Sequence, residues 1–542
     1  MPPLNLDAQI GLADARFAWC VRNAERSLAR GSSEGAAQWA LLAGKLTASF
    51  TVSFLAHARL EAVLRRAGRA APASDQVMLK PASPGRRWLH VLTESHHVGG
   101  HTALCRRWIE LDGSGDRHDL ALTGQDLSKA STNLIDAVRA SRGEAFCATP
   151  GPTPLVEKAT WLRSLAASVD AVVLHTHMWD PVPTMAFGSH GGPGVLMLNH
   201  ADHVYWTGSS VADLVLNLRP SGELMCLQHR GCDRIARLPI PLPRSPVKSG
   251  DAQGLNWRRA QGISDDSVVF LTIGTAYKYA PTPTLSFFAA AKRLLGEMPA
   301  AHLVAVGPSS REAHWQELVK SAPGRVHAMG VQTDLKAILA AATVYLEGFP
   351  FGSLTAMLEA ALAAVPPVMA PALCPLPYRS DDFALQDEPV PEDVDAYVAR
   401  ALALASRQIT NPASGGTVRD CVEQLHCEPN WRQHLEPIRQ WIDGRPQHAV
   451  HEPTVIHALN RERLHYWASF QATGQVDNPV SWVFNRALRA GLRPRIDVEA
   501  YRALRRARRA GVQAPVPAVT ALGSYLLAAL PNRWAMRVYG LG

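Results

Sequence analysis

Twice along this chain of 542 residues, short apolar runs alternate with helical stretches, and a proline-rich segment separates the two series. Short strands that alternate with helices form parallel sheets covered on both faces. The first series offers strands at Trp88–Thr93, Leu120–Thr123, Ala171–Thr176, Gly194–Asn199 and Leu214–Leu218, with helices over Thr102–Ile109 and Leu155–Ala167. The second offers strands at Val268–Ile273, His302–Val306, Val326–Ala328, Val344–Leu346 and Pro367–Ala370. Its helices fit Thr284–Leu295, Ala313–Ser321, Leu335–Ala341 and Leu354–Ala364. Pro239–Gly254 between the series reads as a linker. The expected class is α/β, with two Rossmann-like domains facing a cleft, over residues 86–245 and 255–416.

Helical extensions are expected on both sides. In residues 1–80, apolar positions recur at helical spacing through Phe17, Val21, Ala24 and Leu28, then through Trp39, Leu42, Leu46 and Phe50. Gly31-Ser32-Ser33 breaks the run, which predicts a helical hairpin. Residues 417–542 read as helical and basic. From Asn485 onward eleven Arg face only Asp497 and Glu499, a surplus of +9 against +8 for the whole chain. The rest of the chain is therefore close to neutral and gives no reason to expect nucleic-acid binding. The tail is expected either to make peripheral contact with an anionic membrane surface or to pack back across the domains.

The eight Cys are scattered and form no CxxC pair, which fits free thiols in a reducing compartment. The first residues show no charged-then-apolar leader, and no apolar run is long enough to span a membrane. The expected location is the cytoplasm, on the inner face of the membrane if the tail makes its contact.

In open parallel sheets, ligands bind beyond the carboxyl ends of the strands. After the first strand candidate comes Glu94-Ser95-His96-His97-Val98-Gly99-Gly100-His101. Gly99 and Gly100 permit a tight turn and a close backbone approach, and a helix start follows, with free N–H groups. His101 stands where it can take a proton from a bound hydroxyl, or it is simply a histidine at a helix entry. His177, Asp180, His200, Asp202 and His203 follow later strands and suit a cleft wall or an acceptor site; each histidine could equally be buried and hydrogen-bonded.

In the second series, Gly274 and Lys278 follow a strand end. Lys278 offers a compact positive charge of the kind a departing diphosphate needs. The stretch VYLEGFPFGSLTAMLEAALAAVPP is the most informative in the chain. A strand ends in Glu347, and Gly352-Ser353-Leu354-Thr355 then opens a helix that carries Glu359. Ser353 is a candidate N-cap, and the helix start is a candidate anion site.

On SHHVGGHTALCRR, FLTIGTAYKYAPTPTLSFFAAAKRLL and VYLEGFPFGSLTAMLEAALAAVPPV, the chain resembles GT-B glycosyltransferases, in particular the O-linked N-acetylglucosamine transferase family and its bacterial relatives. The resemblance runs from about Arg87 to Pro375 and implies a nucleotide-sugar donor, a UDP-sugar first of all. It implies that His101 matches the family's histidine after the first strand, that Lys278 contacts the donor diphosphate, and that Ser353, Leu354 and Thr355 bind phosphate. Glu347 and Glu359 resemble the paired acidic residues of retaining GT-B enzymes, at a wider spacing. The family commonly works without a bound metal, so no metal and no cofactor is expected. The helices before Ala70 are too few for the long peptide-holding array of the animal enzyme. The expected acceptor is therefore a glycan, a lipid-linked saccharide or a protein. Two rivals remain. One is a non-catalytic GT-B-like binding subunit. The other is a metal-dependent hydrolase using His175, His177, His200, Asp202 and His203, although no HExxH is present.

Overall fold

The computed structural model describes residues 5–70, 85–97, 99–148, 153–245, 247, 249–410, 415–444, 446–452 and 456–471, with positions 483, 486, 487, 490, 492 and 506 beyond them. The chain divides into two compact units. The first comprises Met1–Asn217, Gly222–Arg237 and Pro437–Gly542; the second comprises Leu218–Ser221 and Leu238–Glu436.

The first unit is built on seven strands: β1 (Arg87–Leu92), β2 (Arg117–Leu122), β3 (Ala145–Cys147), β4 (Ala171–Leu174), β5 (Gly194–Asn199), β6 (Leu214–Asn217) and β7 (Ile235–Arg237). Their order is β3-β2-β1-β4-β5-β6-β7, and every neighbouring pair is parallel. The order reverses between β1 and β4, which opens a crevice at their carboxyl ends. β1, β4 and β5 are buried throughout, as strands covered on both faces must be. β3 and β7 were not expected: at the edges of the sheet their residues are half-buried or exposed and form no buried apolar run.

The N-terminal region forms three helices rather than a hairpin: Leu6–Ala29, Ser33–Ser49 and Ala58–Arg69. Asn5, Ser32 and His57 cap them, accepting from Ala8, Gly35 and Leu60 N–H respectively. They share one core with the sheet, in which Phe17, Trp19, Trp39 and Leu64 join Leu89, Val91, Val172 and Leu174. Glu61, wholly buried, reaches from the third helix to accept from Gly208 N (2.7 Å) and from the amide and hydroxyl of Ser210 (3.2 and 2.6 Å). These helices therefore brace the loop that follows β5.

The second unit holds β8 (Val269–Ile273), β9 (His302–Val306), β10 (Val326–Ala328), β11 (Val344–Leu346) and β12 (Pro367–Val368). Their order is β10-β9-β8-β11-β12, again all parallel, with the reversal between β8 and β11. Part of the expected linker is helical: Asp251 caps Ala252–Ala260 by accepting from Gly254 N at 2.9 Å. Two consecutive parallel α/β sheets are what the alternation in the sequence predicts.

Beyond the second sheet, helices run over Gly416–His426, Asn430–Asp443 and Arg461–Gln471. The basic tail segments VEAYRALRRARRAG and SYLLAALPNRWAMRV lie almost wholly outside the described residues. Among the described residues no helix is long and apolar enough to cross a membrane. All eight Cys are free thiols.

Candidate active site

Both groups of residues singled out in the sequence sit at the reversal points of their sheets. In the second unit, a short turn of helix after β8 carries Lys278, and the helix Leu354–Leu362 begins after β11. The Lys278 ammonium donates to the carbonyl of Gly352 (2.7 Å) and to Ser353 Oγ (3.1 Å), and lies 4.9 Å from the centre of the Phe351 ring. Ser353 occupies the N-cap position, but its hydroxyl accepts from Lys278 and caps no amide of its own helix. The first N–H groups of that helix therefore keep their capacity for an anion, with a cation fixed beside them. Burial, together with the positive charge of Arg219 and against the pull of Glu347, lowers the Lys278 ammonium to about 8.

Arg219 is a residue the sequence reading missed. It follows β6 of the first sheet in the chain, yet it belongs to the second unit. There it donates to the carbonyl of Pro377 (2.8 Å) and pairs with Asp381 at 3.5 Å. No local pattern marks it, because its place is set by contacts about 160 residues further along.

Glu347 was expected in the donor set, but its side chain is wholly buried. Its two oxygens accept from the amides of Ala370 (2.7 Å) and Ser380 (2.8 Å), and its backbone carbonyl accepts from the Tyr397 hydroxyl (3.0 Å). Burial raises its pKa. A carboxylate with no exposed surface cannot meet a ligand, so Glu347 braces the loops around the helix start. Gly352 is packed against it: a Cβ there would lie 2.1 Å from Glu347 Oε1 and 2.7 Å from Ser380 Oγ. Gly352→Ala is therefore expected to destabilise the protein by about 1–3 kcal/mol, the range of an overpacked core, as read by denaturant unfolding. Gly274 is tight against the site itself, since a Cβ would lie 3.0 Å from Ser353 Oγ. Leu354, Thr355 and Glu359 are half-exposed on the helix.

In the first unit, residues 93–97 and Gly99 lie between β1 and the helix Gly100–Asp112. Gly99, with φ +137°, takes a conformation that favours glycine, and no side chain caps the helix that follows. Gly100 is exposed beside it. Thr102 closes the loop by accepting from His96 N (2.9 Å). His101 Nε2 contacts the backbone carbonyl of His175. A carbonyl can only accept, so Nε2 carries the proton and Nδ1 is the basic atom. Burial, then the neighbouring His200, holds His101 far below the ordinary imidazole range.

His177 and His200 stand with His101. The His101 ring centre is 4.4 Å from that of His200 and 5.7 Å from that of His177. Both residues line a small pocket with Thr176, Asn199 and Trp206. Burial lowers His200 to about 4. Asp180, expected on the cleft wall, is instead buried and held by three hydrogen bonds. It accepts from Thr93 Oγ1 (2.7 Å), Thr123 Oγ1 (2.5 Å) and Val182 N (2.9 Å), and so ties together the ends of β1, β2 and β4. Asp202 is also buried, with His203 Nδ1 at 3.5 Å. The loop carrying them is held by Arg230, whose guanidinium lies 4.3 Å from the Trp206 ring and donates to the carbonyls of Asp202 (2.9 Å) and Val204 (2.7 Å).

The two parallel sheets are those of an α/β protein with the GT-B fold; one unit carries a lysine at an uncapped helix start and the other a group of neighbouring imidazoles. Among solved structures, the chain is similar to a glycosyltransferase from Rickettsia africae ESF-5. Identity is 11%, the match covers 66% of this chain and 99% of that one, and the TM-score is 0.52, a likeness of fold. It is also similar to Anabaena HepE in complex with UDP and glucose (12% identity, 66% of this chain and 100% of that one, TM-score 0.49). A mutant of the Thermobaculum terrenum O-GlcNAc transferase is similar at 16% identity, over 80% of this chain and 85% of that one, with TM-score 0.48. No family model matches the chain, and no curated sequence does.

Proposed function

We propose that the protein is a glycosyltransferase that moves a sugar from a nucleoside-diphosphate donor to an acceptor hydroxyl. A UDP-sugar is the first candidate donor on the sequence resemblance. The observation that carries this reading is the Lys278 ammonium, fixed at the uncapped start of the helix Leu354–Leu362. The donor's diphosphate would lie against those amides, with Lys278 and Arg219 supplying positive charge. On the sequence resemblance, His101 is the candidate to take the proton of the acceptor hydroxyl, through Nδ1, as that oxygen attacks the anomeric carbon. The bond from that carbon to the diphosphate oxygen breaks. Lys278 and the helix dipole stabilise the negative charge left on the diphosphate, a task a metal ion performs elsewhere. The acceptor is a glycan, a lipid-linked saccharide or a protein; His177 and His200 are candidates to contact it.

The test is consumption of nucleotide-sugars. The protein is incubated with a panel of donors and a cell-envelope extract as acceptor source, and release of free nucleoside diphosphate is followed. One donor class is expected to be consumed, and consumption of none would count against transfer. The ammonium at about 8 adds a pH dependence. It is charged below that pH and loses its proton above it. Donor affinity should therefore fall as pH rises through 8, by about tenfold at pH 9, as read by calorimetric titration. A flat profile to pH 9 would remove Lys278 from the phosphate contact.

A further inference from the structure

Next to His101, a line of buried polar groups crosses the first sheet. His90 on β1 lies between His118 on β2 and His175 just beyond β4. His90 Nε2 is 2.9 Å from His118 Nδ1, and His90 Nδ1 is 2.9 Å from His175 Nε2. At the far end, His118 Nε2 is 3.2 Å from the carboxylate of Asp112, which Arg439 also pairs. The carboxylate only accepts, so His118 Nε2 carries a proton. With one proton per ring, His118 Nδ1 accepts, His90 Nε2 donates, and His90 Nδ1 is a lone pair that accepts from His175 Nε2. His175 Nδ1 is left as a lone pair, fully buried and with no hydrogen-bond partner among the described residues. Buried polar atoms are seldom left so.

Cys105, on the helix Gly100–Asp112, is also fully buried here, and one donor atom each from His90, Cys105 and His175 lie within 4.8 Å of one another. We propose that His90, Cys105 and His175 bind one thiophilic divalent cation of the zinc class inside the first unit. Two imidazole nitrogens and a thiolate are a zinc donor set. Bonds of about 2.0–2.3 Å place tetrahedral ligand atoms roughly 3.3–3.7 Å apart, so the thiol and the imidazoles close in by at most about an ångström, while His90 Nδ1 and His175 Nε2, 2.9 Å apart, part slightly. On binding, Cys105 gives its proton to solvent, and Sγ, His90 Nδ1 and a nitrogen of His175 donate lone pairs to the cation. The His90–His175 hydrogen bond opens. His90 is already braced as a ligand, because its other nitrogen donates to His118, and His118 to Asp112. Three protein ligands leave the fourth position to a water. The ion would cross-link β1, the end of β4 and the helix Gly100–Asp112, and it has no part in the phosphate site of the second unit.

The test is cobalt(II) titration of the full-length, chelator-stripped protein, followed by absorption. One equivalent is expected to bind with a thiolate-to-cobalt charge-transfer band and tetrahedral ligand-field bands, and one equivalent of zinc should displace it. Cys105→Ser should lose the charge-transfer band, while Cys421→Ser, at an exposed thiol, should keep it. No uptake by the stripped wild type, uptake without a thiolate band, or a band that persists in Cys105→Ser would each overturn the proposal. The wild-type spectrum decides the matter even where Cys105→Ser does not fold.

Discussion

Lys278→Ala is expected to weaken donor binding by about 10- to 100-fold, the loss of one charge-assisted contact, and to lower kcat by a further ~100-fold or more. Two effects add. The variant removes the positive charge beside the diphosphate, which matters most when the bond to sugar breaks. It also releases Ser353 Oγ, which in the wild type accepts from Lys278 and caps no amide. The freed hydroxyl can turn onto the N–H groups of its own helix and compete with the donor for them. A double variant, Lys278→Ala with Ser353→Ala, should therefore regain part of the donor affinity. Calorimetry with the nucleoside diphosphate reads the first effect, and steady-state kinetics the second. Wild-type activity in Lys278→Ala would contradict the phosphate assignment.

His101→Gln should lower kcat by about 10²- to 10⁴-fold, the range for loss of a general base, and leave donor affinity unchanged. Glutamine is the useful replacement because its amide can still donate to the His175 carbonyl while lacking the basic nitrogen. The loop thus keeps its anchor and only the proton acceptor is lost. Since burial and His200 hold His101 far below the ordinary imidazole range, its basic form persists at mildly acidic pH. Any acid-side loss of activity down to about pH 6 therefore belongs to another group. A His101→Gln variant that turns over at the wild-type rate would leave the histidine a structural part of the helix entry.

Much of the fold was legible because period and punctuation agree. Gly194–Asn199, His302–Val306, Val326–Ala328 and Val344–Leu346 are strands with the bounds their apolar runs predict. β3 and β7 escaped because their residues are half-buried or exposed and make no buried apolar run, and the third N-terminal helix because its start at Ala58 follows the irregular segment 50–57. Lys278 and Ser353 were found from strand ends and a helix start, and the structure brings them to 3.1 Å across 75 positions of chain. Sequence patterns show which residues follow a strand, but not whether their polar atoms are already spent. Asp180 and Glu347 read as site carboxylates, yet each is taken up by amides and hydroxyls of neighbouring loops. Arg219 and the His118–His90–His175 line stayed hidden for a related reason. Each depends on contacts between segments far apart in the chain, and no local period marks such contacts.

The proposed function requires first that the second unit hold a nucleoside-diphosphate donor at Lys278 and the start of the helix Leu354–Leu362. Isothermal titration of the full-length protein with UDP, GDP, ADP and their sugars, at pH 7 in the presence of EDTA, tests it most directly. The expected result is 1:1 binding of one nucleotide class, weakened at least tenfold in Lys278→Ala. Binding of none of them, or equal binding by wild type and Lys278→Ala, would contradict it.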